Sequence, residues 1–135
     1  MANLFELEIV TPQRKPFSGS VASVSCPGEQ GRFQVLHNHA PFLSTLAVGM
    51  VTVVDAEGVE THYAVSGGLA QVFHNQMRLL ADTAERAEDI DVGRAERAKQ
   101  RAEERLRQRG EDLDEERARI ALLRAINRLK IAHGE

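Results

Sequence analysis

Apolar and polar residues alternate along the first part of the chain. Phe5, Leu7 and Ile9 are interleaved with Glu6 and Glu8, the period-two signature of a strand with one buried face. Pro12 and Pro16 close that strand. Val21-Ala22-Ser23-Val24-Ser25 alternates again and is expected to stop at Cys26-Pro27-Gly28. Phe33, Val35 and Leu36 make a short strand running into His37-Asn38-His39-Ala40-Pro41. Met50-Val51-Thr52-Val53-Val54 and Thr61-His62-Tyr63-Ala64-Val65 flank Asp55-Ala56-Glu57-Gly58, a hairpin in which Gly58 can take a positive φ. Ala70-Gln71-Val72-Phe73 and Met77-Arg78-Leu79-Leu80-Ala81 flank His74-Asn75-Gln76 as a second hairpin. Short strands punctuated by Gly and Pro predict a small antiparallel β-sandwich or barrel.

The period then changes. From Ile90 to about Arg107, Ala95, Ala98, Ala102 and Leu106 recur at helical spacing, an alanine seam that lets another backbone approach closely. Asp89 or Asp91 can cap the start, and Arg107-Gln108-Arg109-Gly110 offers basic last-turn residues and a glycine stop. Asp112-Leu113-Asp114-Glu115 resembles a capping box for a second helix to about Ala132, with Leu122, Leu123, Ala125, Ile126 and Leu129 as its apolar arc. The short connection predicts an antiparallel helical hairpin. The fold class is therefore β + α, with a β-sandwich over residues 1–84 and a two-helix hairpin over 85–135.

Composition sharpens the division. Residues 1–82 hold 4 basic and 7 acidic side chains, all four prolines and all six aromatics, whereas residues 83–135 hold 13 basic and 13 acidic. The hairpin exceeds only slightly the ~40 residues below which a fold usually needs a metal, disulfides or a partner surface. Its seam must dock on the sandwich, on another subunit, or on each in turn. A net charge of −3 argues against nucleic acid as the main partner. Cys26, the single cysteine, excludes an intrachain disulfide, and no apolar run approaches the ~18 residues of a transmembrane helix. The opening MANLFELEIV lacks the regions of a signal peptide, which leads to the expectation of a soluble cytoplasmic protein.

Candidate chemistry is sparse. Gly31 followed at a distance by His37 and His39 matches the opening of a cupin metal motif, yet the acidic ligand expected next is missing from Phe42-Leu43-Ser44-Thr45. The histidines read better as shaping the loop before Pro41. Ser66-Gly67-Gly68 is followed by no Lys-Ser/Thr and forms no Gly-x-Ser-x-Gly elbow, so it reads as a tight turn between strands. Cys26 reads as a structural thiol. No catalytic residue and no metal ligand is expected.

The arginines are more informative. At about 100° per residue, Arg94, Arg101 and Arg105 share one face of the first helix with Asp91 nearby, and Arg117, Arg124 and Arg128 cluster on the second. If those faces meet, they form a cationic pocket suited to phosphate. Spacing alone favours a solvated surface with (i, i+4) pairs such as Glu103–Arg107.

The chain resembles the epsilon subunits of bacterial F-type ATP synthases over essentially its full length. The resemblance rests on His39-Ala40-Pro41, Ser66-Gly67-Gly68, Leu80-Ala81-Asp82-Thr83-Ala84 and Ile90-Asp91-Val92-Gly93-Arg94-Ala95, the last fitting the Ile/Leu-Asp-x-x-Arg-Ala segment of ATP-binding members. It implies a non-catalytic central-stalk subunit on the cytoplasmic face of the bacterial cell membrane, touching the membrane only through the complex. The sandwich would bind the gamma subunit and the c-subunit ring, coupling proton translocation to ATP synthesis. The hairpin would fold down, or extend toward the alpha and beta subunits of the head and inhibit ATP hydrolysis. No cofactor is required, and ATP is implied as a regulatory ligand holding the hairpin down. The family's ATP-binding pattern falls on Glu85, Ile90, Asp91, Arg94, Ala95, Arg101, Arg124 and Arg128, with Asp91 accepting from the adenine or ribose edge. Two departures stand out: Gly31-Arg32-Phe33-Gln34-Val35-Leu36-His37-Asn38 replaces the family's Gly-Glu-Leu-Gly-Ile-x-Pro-Gly, and Gly93 occupies a variable helix position. A free-standing nucleotide-sensing module and a cupin-like metal enzyme are the alternatives.

Overall fold

The computed structural model describes residues 3–108 and 112–134, the side chains of residues 112–114 excepted. It divides into two compact units, Met1–Arg86 and Ala87–Glu135. The boundary falls two residues beyond the one expected at 84/85, because residues 84–86 form a strand of the first unit.

Seven strands build that unit: β1 (Phe5–Val10), β2 (Phe17–Gly28), β3 (Gly31–Leu36), β4 (Phe42–Asp55), β5 (Glu60–Phe73), β6 (Gln76–Ala81) and β7 (Ala84–Arg86). They are ordered β1-β6-β5-β4-β2-β3, β7 adds to β5, and β1 also pairs with β2. Strands β1, β6, β5, β4 and β2 therefore form a closed ring. Four of its five pairs are antiparallel, but β1 and β6 run parallel, with Ile9 beside Leu79. This corrects the all-antiparallel expectation for a simple geometric reason. Directions cannot alternate all the way around a ring with an odd number of members, so one pair must be parallel.

Alternation places the core as expected. Phe5, Leu7 and Ile9 are buried together with Val21, Val24, Tyr63, Met77 and Leu79, while Glu6 is exposed. Ile9 is 0% exposed and meets β2 and β6 on its two flanks. Ile9→Ala should lower stability by about 3 kcal/mol through lost burial and the cavity left behind, read as a shift of the urea midpoint.

Both expected hairpins form. Asp55 Oδ1 accepts from the amides of Glu57 and Val59, each at 2.9 Å, and Gly58 sits at φ +84°. His74 and Asn75, at φ 50° and 60°, make the two-residue turn whose positive φ values match the twist of β5 and β6. Asn75 also ties down its surroundings, accepting from the Asn38 amide at 2.9 Å and donating to the Leu4 carbonyl at 3.0 Å.

Two expected breaks are absent. β2 continues through Cys26-Pro27-Gly28, where its register with β4 slips between Ser25↔Thr52 and Gly28↔Leu46. An irregular pairing needs no ladder donor at every position, so proline is tolerated there. Ser66-Gly67-Gly68 is likewise no turn: it lies inside β5 at φ +111° and +136° for the two glycines. On one edge of β5, β6 pairs as far as Gly68↔Ala81 and β7 begins at Val65↔Ala84. Asp82 and Thr83 step between them, bonded by Asp82 N to Gly67 O at 3.1 Å, Ser66 N to Thr83 O at 3.3 Å and the two hydroxyls of Ser66 and Thr83 at 2.6 Å.

The second unit begins with a 3₁₀ turn (Ala87–Asp89), followed by α1 (Val92–Arg107) and α2 (Asp112–Ala132). The turn and α1 both pack on α2, and the short connection makes the helices antiparallel. Helix α1 ends with Gln108 as its cap. The Gly110 stop and the side chains of the Asp112–Asp114 capping box lie outside the described residues. Ala95 and Ala102 are buried on α1, and Ala118, Ala125 and Leu129 on α2. Leu123 is 53% exposed, correcting its place in the apolar arc. Residues 118, 122, 125 and 129 make one stripe at the 3.6-residue period, and residue 123 lies about 100° around from Leu122.

Candidate functional site

The hairpin site is built from the start of α1. Asp91 has an extended backbone (φ −79°, ψ 100°), and its carboxylate Oδ1 accepts from the Arg94 amide at 3.0 Å. Of the two possible caps, Asp91 is therefore the one used. Its carbonyl accepts from the Ala95 amide at 3.0 Å, closing the first turn. Gly93 lies two residues past the cap, in the first turn, where propensity matters less than in a helix interior. Ile90 and Ala95 are buried and contribute packing, whereas Asp91, Arg94, Arg101 and Arg124 are exposed and Arg128 is half-buried.

Helix geometry settles which way the arginine rows point. Ala95 and Ala102 are seven residues apart, as are Ala118 and Ala125, so one antiparallel register sets Ala95 level with Ala125 and Ala102 level with Ala118. Seen from its own N-terminus, each helix carries its arginine row roughly 90° to one side of its alanine seam, in the same rotational sense. Reversing one helix puts both rows on the same side of the hairpin. Among the described residues, Arg94, Arg101 and Arg124 have no ion pair with a carboxylate. The expected Glu103–Arg107 pair is not formed either; Arg119 instead meets Glu115 and Glu116, each at 3.5 Å. Guanidinium groups gathered on one side of a hairpin are suited to a polyphosphate.

Glu85 does not belong to this hairpin. It lies on β7 in the first unit, opposite Ala64 of β5 and half-buried. The structure thus brings seven of the eight sequence-derived residues into one unit and leaves Glu85 in the other.

The sheet unit has a feature that sequence reasoning missed. A groove of about 760 Å³ is lined by residues of β1, β2, β4, β5 and β6, with Leu43 and Phe73 largely exposed beside it. Glu8 on its wall meets Lys15 at 3.1 Å and Arg78 at 3.2 Å. The hydrogen bond from Lys15 leads in holding its carboxyl below the ordinary carboxylate value. The signal available in the sequence was the outward set of β1, Glu6 and Glu8.

The remaining candidates have structural occupations. His39 donates through Nδ1 to the Ala40 carbonyl at 2.7 Å and sets its ring edge-on to Phe42, 5.6 Å between centres. Among the described residues, no three His, Cys, Asp or Glu side chains gather where they could hold a metal. Cys26 is buried, and desolvation pushes its thiol up to about 12, far from a reactive thiolate. No helix among the described residues is long and apolar enough to cross a membrane.

Comparison with known proteins covers both units. Residues 4–87 match the model of the ATP synthase delta/epsilon chain β-sandwich domain, and residues 88–133 that of the delta/epsilon long alpha-helix domain. The ATP synthase epsilon chain of Nitratidesulfovibrio vulgaris (strain DP4) is 48% identical over 131 residues, 97% of each chain. That of Moorella thermoacetica is 49% identical over 132 residues, 98% of each. A chain in the cryo-EM structure of the Euglena gracilis mitochondrial ATP synthase (OSCP, F1 and c-ring) shares the fold, with a TM-score of 0.79 at 23% identity over 90% of this chain and 76% of that one. Two contiguous domain matches in the right order, with relatives aligned almost end to end, leave one assignment: the chain belongs to the ATP synthase delta/epsilon family, among its epsilon chains.

Proposed function

We propose that this chain is a non-catalytic rotor subunit that couples proton translocation to ATP synthesis and carries its own nucleotide-controlled brake. The sheet unit binds the gamma subunit and the c-subunit ring at the cytoplasmic face of the membrane. The hairpin binds ATP when folded and, when released, reaches the alpha and beta subunits and inhibits ATP hydrolysis. Family membership supports the first part. The second part is supported by the exposed Arg94, Arg101 and Arg124, whose rows ideal helix geometry places on one side of an antiparallel hairpin.

The energetics suit a brake. A hairpin with a seam lined largely by alanine fits a balance between two arrangements, which a ligand with modest differential affinity would set. Calorimetric titration of the full chain with ATP should give saturable binding at one nucleotide per chain. No heat of binding at millimolar ATP would overturn the nucleotide part and leave the coupling role, with the hairpin set by rotation and partner contacts.

A further inference from the structure

We propose that Asp91 supports nucleotide binding as the cap that positions Arg94, and that it does not read the base. This rests on the nucleotide reading of the hairpin. The Asp91 carboxylate is already engaged, with Oδ1 3.0 Å from the Arg94 amide, and the residue has the extended backbone of a helix cap. Little else starts this helix. Its first turn contains no acidic side chain that could favour the helix N-terminus in the cap's place. The amide that Asp91 holds belongs to the first arginine of the row. Loss of the cap therefore frees the turn from which Arg94 projects and loosens its aim at a phosphate.

Electrostatics point the same way. A carboxylate beside a polyphosphate site opposes the ligand's charge, so a capping oxygen accounts for Asp91 better than its charge does. Asn and Ser cap helices about as well as Asp, whereas Ala does not cap at all. The extra methylene of Glu carries its carboxylate past the cap position. Affinity should consequently follow capping strength across these variants, independently of side-chain charge.

The test is titration of the full chain with Mg-ATP and, separately, Mg-GTP, for wild type, Asp91→Asn, Asp91→Ser, Asp91→Ala and Asp91→Glu. Asn and Ser variants should bind ATP within about threefold of wild type, and Ala and Glu variants about five- to thirtyfold more weakly, the upper part of the range expected for loss of a cap. The ATP-to-GTP affinity ratio should stay constant throughout. Amide exchange at Arg94 should quicken in the Ala and Glu variants alone. A shifted ATP-to-GTP ratio, or Asn and Ser variants as weak as Ala, would assign Asp91 to the base and overturn the proposal; so would an Ala variant that binds like wild type. A wild-type chain that binds no ATP would instead overturn the nucleotide reading, and this proposal with it.

Discussion

Arg94→Ala combined with Arg124→Ala should weaken ATP binding by about a hundredfold or more while leaving the sheet unit's unfolding unchanged. Each charge-assisted hydrogen bond contributes about 1.5–3 kcal/mol, so two lost phosphate contacts remove at least about 3 kcal/mol. The pair takes one residue from each helix. Each single substitution should retain part of the affinity, because exposed guanidinium groups can still reach a phosphate from the other side. Both residues are exposed and lie off the alanine seam, so the hairpin should keep its helicity. Calorimetry with ATP reads the binding, and circular dichroism checks the helices. An unchanged affinity in the double variant would remove the arginine rows from the site. If the released hairpin uses the same arginines against the head, the double variant should also relieve inhibition of ATP hydrolysis in the assembled complex.

Gly68→Ala should destabilise the sheet unit by about 3–5 kcal/mol, a large share of a small domain's stability. Two costs combine. Gly68 has φ +136°, which an L-residue adopts only under strain. A Cβ there would also fall onto the Leu80 carbonyl oxygen and within 2.8 Å of Ala81 Cα, backbone atoms held by the pairing of β5 with β6. Gly58→Ala is the control. Gly58 also has positive φ, at +84°, but nothing lies within 4 Å of its added methyl, so it should cost only about 1–2 kcal/mol. Urea midpoints at unchanged slope measure both. Equal losses would mean that the close approach of β5 and β6 at Gly68 has no energetic weight.

The hairpins were legible because their determinants are local. Gly58 and the His74-Asn75 pair stand between alternating runs, and turn chemistry needs only the residues that form it. Strand extent was less legible. Ser66-Gly67-Gly68 carries every local mark of a turn, yet it continues β5, because β4 holds it on one edge while β6 and β7 share the other. Pro27 misleads in the same way, since β2 passes through it where the pairing with β4 slips. In the hairpin, the 100° rule identified both arginine rows, but the apolar arc, drawn by hydrophobicity, took in Leu123 and left out Ala118. Leucine is the more hydrophobic of the two, whereas the seam selects for small size where two backbones approach closely.

By itself, the sequence determined the period of each segment, the division into a sheet unit and a helical unit, and the two arginine rows of the helices. Periodicity and turn chemistry arise from backbone geometry within a few residues, so they can be read along the chain. Tertiary structure alone decided the parallel β1–β6 pair, the capture of residues 84–86 by β5 and the place of Ala118 in the helical seam. Each of these depends on which distant edge or face satisfies a segment's hydrogen bonds and apolar surface, and that choice belongs to the assembled unit.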